Sequence, residues 1–163
     1  MYEKSTNYPH LTGDAIAIAL RHNIRLKNIN YIQIHPTALY TELPGRAFLI
    51  SESVRGEGAV LLDKEGNRFT DELQARDIVA KKIHEQMYKD NTKHVWLYLD
   101  GHVKGDIAKR FPSIYERCLQ EGYDITKERI PVVPAQHYFM GGIEVDTQSK
   151  TSMDNLYAVG ETS

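Results

Sequence analysis

Apolar residues recur along this chain with two different periods. Ala15-Ile16-Ala17-Ile18-Ala19-Leu20 follows Thr12-Gly13-Asp14, which predicts a polar cap and then a short, mostly buried helix. Tyr31-Ile32-Gln33-Ile34 alternates and predicts a strand that His35-Pro36 would end. A loop with Pro44-Gly45 follows, and Phe48-Leu49-Ile50 leads into Ser51-Glu52. Val60-Leu61-Leu62 and Arg68-Phe69-Thr70 flank the turn residues Asp63-Lys64-Glu65-Gly66-Asn67, the pattern of a hairpin. From about Asp77 to Tyr88 the period becomes helical, with Ile78, Val79, Ile83 and Met87 facing the core. Val95 to Leu99 predicts another strand, turned by Asp100-Gly101. Lys104 to Arg110 suits a short helix. Pro112 opens a second, with Ile114, Tyr115, Cys118 and Leu119 on its buried side and Gly122 at its end. Ile143-Glu144-Val145 and Leu156-Tyr157-Ala158-Val159 read as closing strands. Strands and helices mixed without regular alternation predict an α+β fold.

The 163 residues suffice for one ordinary domain with a real core. Net charge is −2, so no overall basic field selects nucleic acid or a membrane surface. The single cysteine, Cys118, excludes an intrachain disulfide and a Cys-based zinc site, and fits a cytoplasmic setting. No apolar run reaches the length of a membrane span. His, Asp and Glu spacing offers no metal site. Walker A, G-x-S-x-G and G-x-G-x-x-G patterns are absent from the sequence.

Two histidines have settings that raise them above the other five. His35 precedes Pro36, and His137 lies shortly before Gly141-Gly142, so each sits by a bend where a side chain can enter a cleft. An imidazole there can donate to a substrate carboxylate. Glu52 and Arg55 are three apart and would share a face of a helical turn. As a surface ion pair they would contribute roughly 0–1 kcal/mol, whereas as a buried pair they could relay a proton. Arg76 stands at the start of a helix, where a cation opposes the macrodipole, so either solvent or an anion must answer it. Gly141-Gly142 allows a tight turn or a close backbone approach to a ligand.

These segments together resemble the flavoprotein family of the L-aspartate oxidases and the succinate dehydrogenase and fumarate reductase flavoprotein subunits. The resemblance rests on His35-Pro36-Thr37-Ala38-Leu39-Tyr40, Ser51-Glu52-Ser53-Val54-Arg55-Gly56-Glu57-Gly58 and Gly66-Asn67-Arg68-Phe69. It continues through Ala75-Arg76-Asp77-Ile78-Val79, His137-Tyr138-Phe139-Met140-Gly141-Gly142 and Leu156-Tyr157-Ala158-Val159-Gly160-Glu161. Phe111-Pro112-Ser113-Ile114-Tyr115, Gly122-Tyr123-Asp124-Ile125 and Ile130-Pro131-Val132-Val133-Pro134-Ala135 are most similar to the L-aspartate oxidase branch.

The resemblance implies an FAD-dependent oxidoreductase that converts L-aspartate to iminoaspartate, with oxygen or fumarate reoxidising the flavin and the product feeding quinolinate and NAD synthesis. By the family pattern His35, Ser51 and His137 hold the substrate carboxylates. Arg76 is the acid–base residue, Glu52 and Arg55 its proton relay, and Asp14 and Glu161 contact FAD. The implied organisation is a substrate-capping domain over 30–135, flanked at 1–29 and 136–163 by strips of the FAD-binding domain. The implied partners are a dicarboxylate, the remainder of the FAD domain and quinolinate synthase as pathway neighbour. Three departures stand out. The family's glycine-rich FAD segment and its later substrate-gripping arginine are missing, and Ala15 stands where a glycine is common. A strand leading into Gly160-Glu161-Thr162-Ser163 suggests a piece of a larger protein. Alone, such a piece is expected neither to bind FAD tightly nor to turn over. The alternatives are a fumarate reductase or succinate dehydrogenase flavoprotein fragment, and a non-catalytic binding module with the cap fold.

Overall fold

The computed structural model describes residues 2–163. Its main sheet has four strands, β2 (Ile32–Leu39), β3 (Val60–Leu62), β4 (Val95–Tyr98) and β5 (Ile130–Phe139). They run antiparallel in the order β2-β5-β4-β3. A small second sheet pairs β1 (Leu26–Lys27) with β6 (Gly142–Ile143). The helices are α1 (Asp14–Arg21), α2 (Glu52–Gly56), α3 (Arg76–Asp90), α4 (Ile107–Arg110) and α5 (Pro112–Gln120), and a 3₁₀ turn covers Gly160–Thr162. The mixed α+β composition expected from the pattern is present.

The sheet runs further than the sequence pattern indicates. β2 continues through Pro36 to Leu39, where the expected strand ended at His35-Pro36. A bulge makes this possible. His35 pairs with Ala135 and Ala38 with Val133, so Pro36 and Thr37 stand opposite Pro134 alone. Neither proline has an N–H to lose, and both fall where the ladder is interrupted. β5 is punctuated by Pro131 and Pro134, which interrupt its pattern in the sequence. It is nevertheless central, and the Pro131 carbonyl accepts from the Tyr40 N–H at 2.9 Å.

One core unites the four strands with α2, α3 and α5 through Leu39, Ile50, Val54, Leu61, Val79, Ile83, Leu97, Ile114, Cys118, Ile125 and Ile130. Helix α3 lies mainly across β2. Val79 and Ile83 are fully buried and Met87 partly so, but Ile78 is exposed, and Ala80 and Gln86 complete the inner face. On α5, Ile114 and Cys118 face inward while Leu119 is exposed. Gly122 follows this helix at φ +90°, a conformation glycine takes without steric penalty.

A separate small cluster holds the two ends of the chain together. Ala19, Ile24, Ile143 and Ala158 are buried, with Leu26 and Val145 packed against them. Helix α1 buries only Ala19, and Ile18 and Leu20 are exposed, so the expectation of a mostly buried helix is corrected. The physical reason is that the β1–β6 ladder covers one side of α1. The expected closing strands shrink to β6 and a bridge between Lys150 and Tyr157. The hairpin at 60–70 keeps its turn, with one bridge between Leu62 and Arg68.

Candidate active site

Helix α2 is only five residues long, and Ser51 makes its start. Its Oγ accepts from the Ser53 N–H at 3.3 Å and the Ser53 hydroxyl at 2.9 Å. The single turn brings Glu52 and Arg55 to one side, with Arg55 Nη2 at 3.7 Å from Glu52 Oε2. Arg55 is 2% exposed. Its Nη1 donates to the Glu72 carbonyl, while its Nε and Nη2 have no hydrogen-bond partner. Burial pushes the Arg55 pKa down. Glu52 is the carboxylate closest to this buried charge.

Arg76 opens α3. Its side chain turns toward Glu52, donating from Nε to Oε2 at 2.6 Å, and Nη1 donates to Gln33 Oε1 at 2.7 Å. This answers the macrodipole conflict, because a carboxylate lies beside the cation. The Arg76 hydrogen bond holds the Glu52 carboxyl below the usual carboxylate range, with burial opposing and Arg55 assisting.

His35 lies on β2 at the edge of the bulge and is 1% exposed. The Thr37 N–H reaches its Nδ1 at 3.2 Å. A backbone N–H can only donate, so Nδ1 is the acceptor and the neutral ring carries its proton on Nε2. That Nε2 is buried without a partner. Burial first, then Arg76, His137 and Arg55, lower the His35 pKa from 6.5 to about 4, against a smaller opposing pull from Glu52. His35 is therefore a neutral donor with nothing yet to donate to. Leaving such a group unpaired costs free energy, which a ligand acceptor would recover.

His137 stands on β5 with its ring edge-on to His35, centroids 5.3 Å apart. Its Nδ1 meets the Thr6 hydroxyl at 2.8 Å. Burial and Arg76 lower its pKa, and Glu161 partly offsets them. The structure thus brings His35, His137, Glu52, Arg55 and Arg76 into one charged group, with Ser51 at the start of α2 beside Glu52. Glu161 reaches this group's border, accepting from the Phe139 N–H at 2.8 Å. Asp14 does not join it. It lies exposed in the first turn of α1 and accepts from the Thr12 hydroxyl at 3.0 Å.

Three contributors were missed. Gln33 holds Arg76 and sits two positions before His35, a spacing that puts alternate strand residues on one face. Thr37 fixes the His35 tautomer through its backbone, which no side-chain pattern reveals. Thr6 is 131 positions from His137 in sequence. Gly141-Gly142 serves a close approach, but to the chain itself. A Cβ at Gly141 would sit 2.1 Å from the Asn28 carbonyl oxygen, and one at Gly142 would sit 2.5 Å from that of Thr162.

A cleft of about 1110 Å³ runs between α3 and the β2–β5 face. It shares Arg76 and Gln33 with the charged group, but His35, Ser51 and His137 do not line it. The charged group therefore lies beside this cleft, meeting it at Arg76 and Gln33, with His35 and Arg55 buried behind. Among the described residues no cluster of His, Cys, Asp and Glu could hold a metal ion, and no helix is long and apolar enough to cross a membrane.

The family model for the FAD binding domain matches residues 1–163. The L-aspartate oxidases of Clostridium perfringens and Clostridium acetobutylicum are each 57% identical over 164 aligned residues. Those alignments cover 100% of this chain but 37% and 38% of the relatives, so the chain spans little more than a third of their length. Among solved structures, a quinol-fumarate reductase with menaquinol molecules superposes with a TM-score of 0.87 at 35% identity, covering 99% of this chain and 32% of that one.

Proposed function

The chain belongs to the FAD binding domain family, and from that premise we propose that it forms the substrate-handling part of an FAD-dependent L-aspartate oxidase. The observation that carries this reading is the partnerless, buried Nε2–H of His35, set beside His137 and the Arg76–Glu52–Arg55 row. One small anion with a transferable proton would satisfy both halves.

In this reading His35, His137 and Ser51 hold the carboxylates of the substrate. Neutral N–H and O–H donors are suited to this, since they bind an anion without an ion pair to break on release. Oxidation of the C–N bond to C=N releases a proton from the substrate nitrogen, and Arg76 takes it up. An arginine is a poor base alone, because its guanidinium already carries the proton. Glu52, 2.6 Å from its Nε, is placed to take a proton from Arg76 as the substrate's proton arrives, and Arg55, 3.7 Å from Glu52, would carry the relay on by releasing one proton as it takes up another. Bound FAD supplies the hydride acceptor.

The residues present fit the border of an FAD site. Asp14 offers an exposed carboxylate, Glu161 keeps one carboxylate oxygen free of the Phe139 N–H, and Tyr138, Met140 and Val159 expose apolar surface nearby in sequence. In the proposed organisation 30–135 caps the substrate, while 1–29 and 136–163 belong to the FAD domain. The separate end cluster and the small β1–β6 sheet support that division. β5 crosses the second boundary, so cap and flank share a strand. Iminoaspartate would feed quinolinate and NAD synthesis.

The quinol-fumarate reductase likeness favours a second reading, a flavoprotein subunit acting on succinate or fumarate. Comparing L-aspartate-dependent iminoaspartate formation with succinate oxidation in the full-length protein tests both. Turnover of aspartate alone supports the first reading, and turnover of succinate alone overturns it.

A further inference from the structure

Thr6 is 4% exposed and comes from the N-terminal strip, yet its hydroxyl lies 2.8 Å from His137 Nδ1. The hydroxyl has one proton and two nearby acceptors. The other is the Gln136 carbonyl oxygen at 3.4 Å, which already accepts from the Thr6 N–H at 2.9 Å. A reversed bond, Nδ1–H to the hydroxyl, would leave the hydroxyl proton only that long contact to an acceptor already served, so the 2.8 Å contact is assigned the proton. That leaves Nδ1 as acceptor and places the His137 proton on Nε2. The strip cannot easily drift, because Asn7 Nδ2 donates to the Gln136 side chain at 3.3 Å and to the His137 carbonyl at 3.1 Å.

We infer that Thr6 is a positioning residue that locks His137 in the Nε2–H tautomer, so that His35 and His137 present matched N–H donors to one anion. Two unrelated devices reach the same end, the Thr37 backbone N–H for His35 and the Thr6 hydroxyl for His137. The inference deepens the proposed function and depends on His137 holding a substrate carboxylate only for its catalytic consequence.

Histidine ¹⁵N spectra of this chain test the tautomer directly. The wild type is expected to show His137 with Nδ1 unprotonated and Nε2 protonated. Thr6→Val loses that preference and Thr6→Ser retains it. A protonated Nδ1 in the wild type, or spectra of Thr6→Val that match the wild type, would overturn the inference. Steady-state kinetics of the full-length enzyme separate the two claims. Thr6→Val raises KM for L-aspartate about three- to tenfold, the range expected for one hydrogen bond, with kcat little changed and Thr6→Ser restoring it. If His137→Ala raises KM and Thr6→Val does not, Thr6 has no positioning role. If His137→Ala leaves KM unchanged, the substrate role of His137 fails, while the spectra still decide the tautomer.

Discussion

The His35 imidazole makes the stability of this chain depend on pH in a defined window. Its pKa is lowered from 6.5 to about 4 in the folded chain, chiefly by burial. Between those values the unfolded chain binds a proton that the folded chain does not, so stability falls as pH drops through 6.5 and the loss is complete below 4. A gap of about 2.5 pH units corresponds to about 3 kcal/mol at the limit, and to about 2 kcal/mol between pH 7 and pH 5. His35→Asn removes the titration, and its Oδ1 can still accept from the Thr37 N–H. Urea unfolding of both proteins at pH 7 and pH 5 measures the difference. The wild type is expected to lose about 2 kcal/mol more than the variant on acidification. The lowered pKa of His137 acts in the same direction in both proteins and cancels. Equal losses would refute the assignment of His35 as a buried neutral donor.

Other outcomes follow from burial, close approach and the site. Ile83→Ala on α3 removes a fully buried side chain and is expected to cost about 2–5 kcal/mol in chemical denaturation. Gly141→Ala would drive a Cβ to 2.1 Å from the Asn28 carbonyl oxygen, so the β1–β6 ladder must separate, seen as faster amide exchange at Lys27 and Gly142. The Cys118 thiol is fully buried and burial pushes it up to about 12, so it should resist alkylation at pH 8 until the chain unfolds. Glu52→Gln in the full-length enzyme is expected to lower kcat by about 100-fold or more with a smaller change in KM, since it removes the acceptor beside Arg76 and not a substrate donor.

Much of the fold is visible in the sequence where one period dominates. Val79 and Ile83 mark α3, Ile114 and Cys118 mark α5, and Gly122 ends that helix as its type suggests. The sheet was harder to read. Pro131 and Pro134 interrupt the pattern of β5, because a proline argues against a central strand, and at Pro134 a bulge opposite removes the need for its N–H. That bulge belongs to β2, nearly a hundred positions away. The site divides the same way. Arg76 stood out because a cation at a helix start needs an explanation, and Glu52 supplied one. Thr6 and Gln33 gave no signal of their own, since a hydroxyl or amide gains meaning only from the ring or guanidinium it meets in space. Ile78, Ile18 and Leu20 illustrate the opposite error. Apolar residues at helical spacing predict burial only where another layer is present to cover them.

Anaerobic flavin reduction in the full-length protein tests the proposed activity most directly. Mixing the oxidised protein with L-aspartate is predicted to bleach the flavin band, and Arg76→Leu is predicted to slow that bleaching by orders of magnitude while FAD stays bound. Bleaching by succinate but not by L-aspartate, or an Arg76→Leu variant as fast as the wild type, would contradict it.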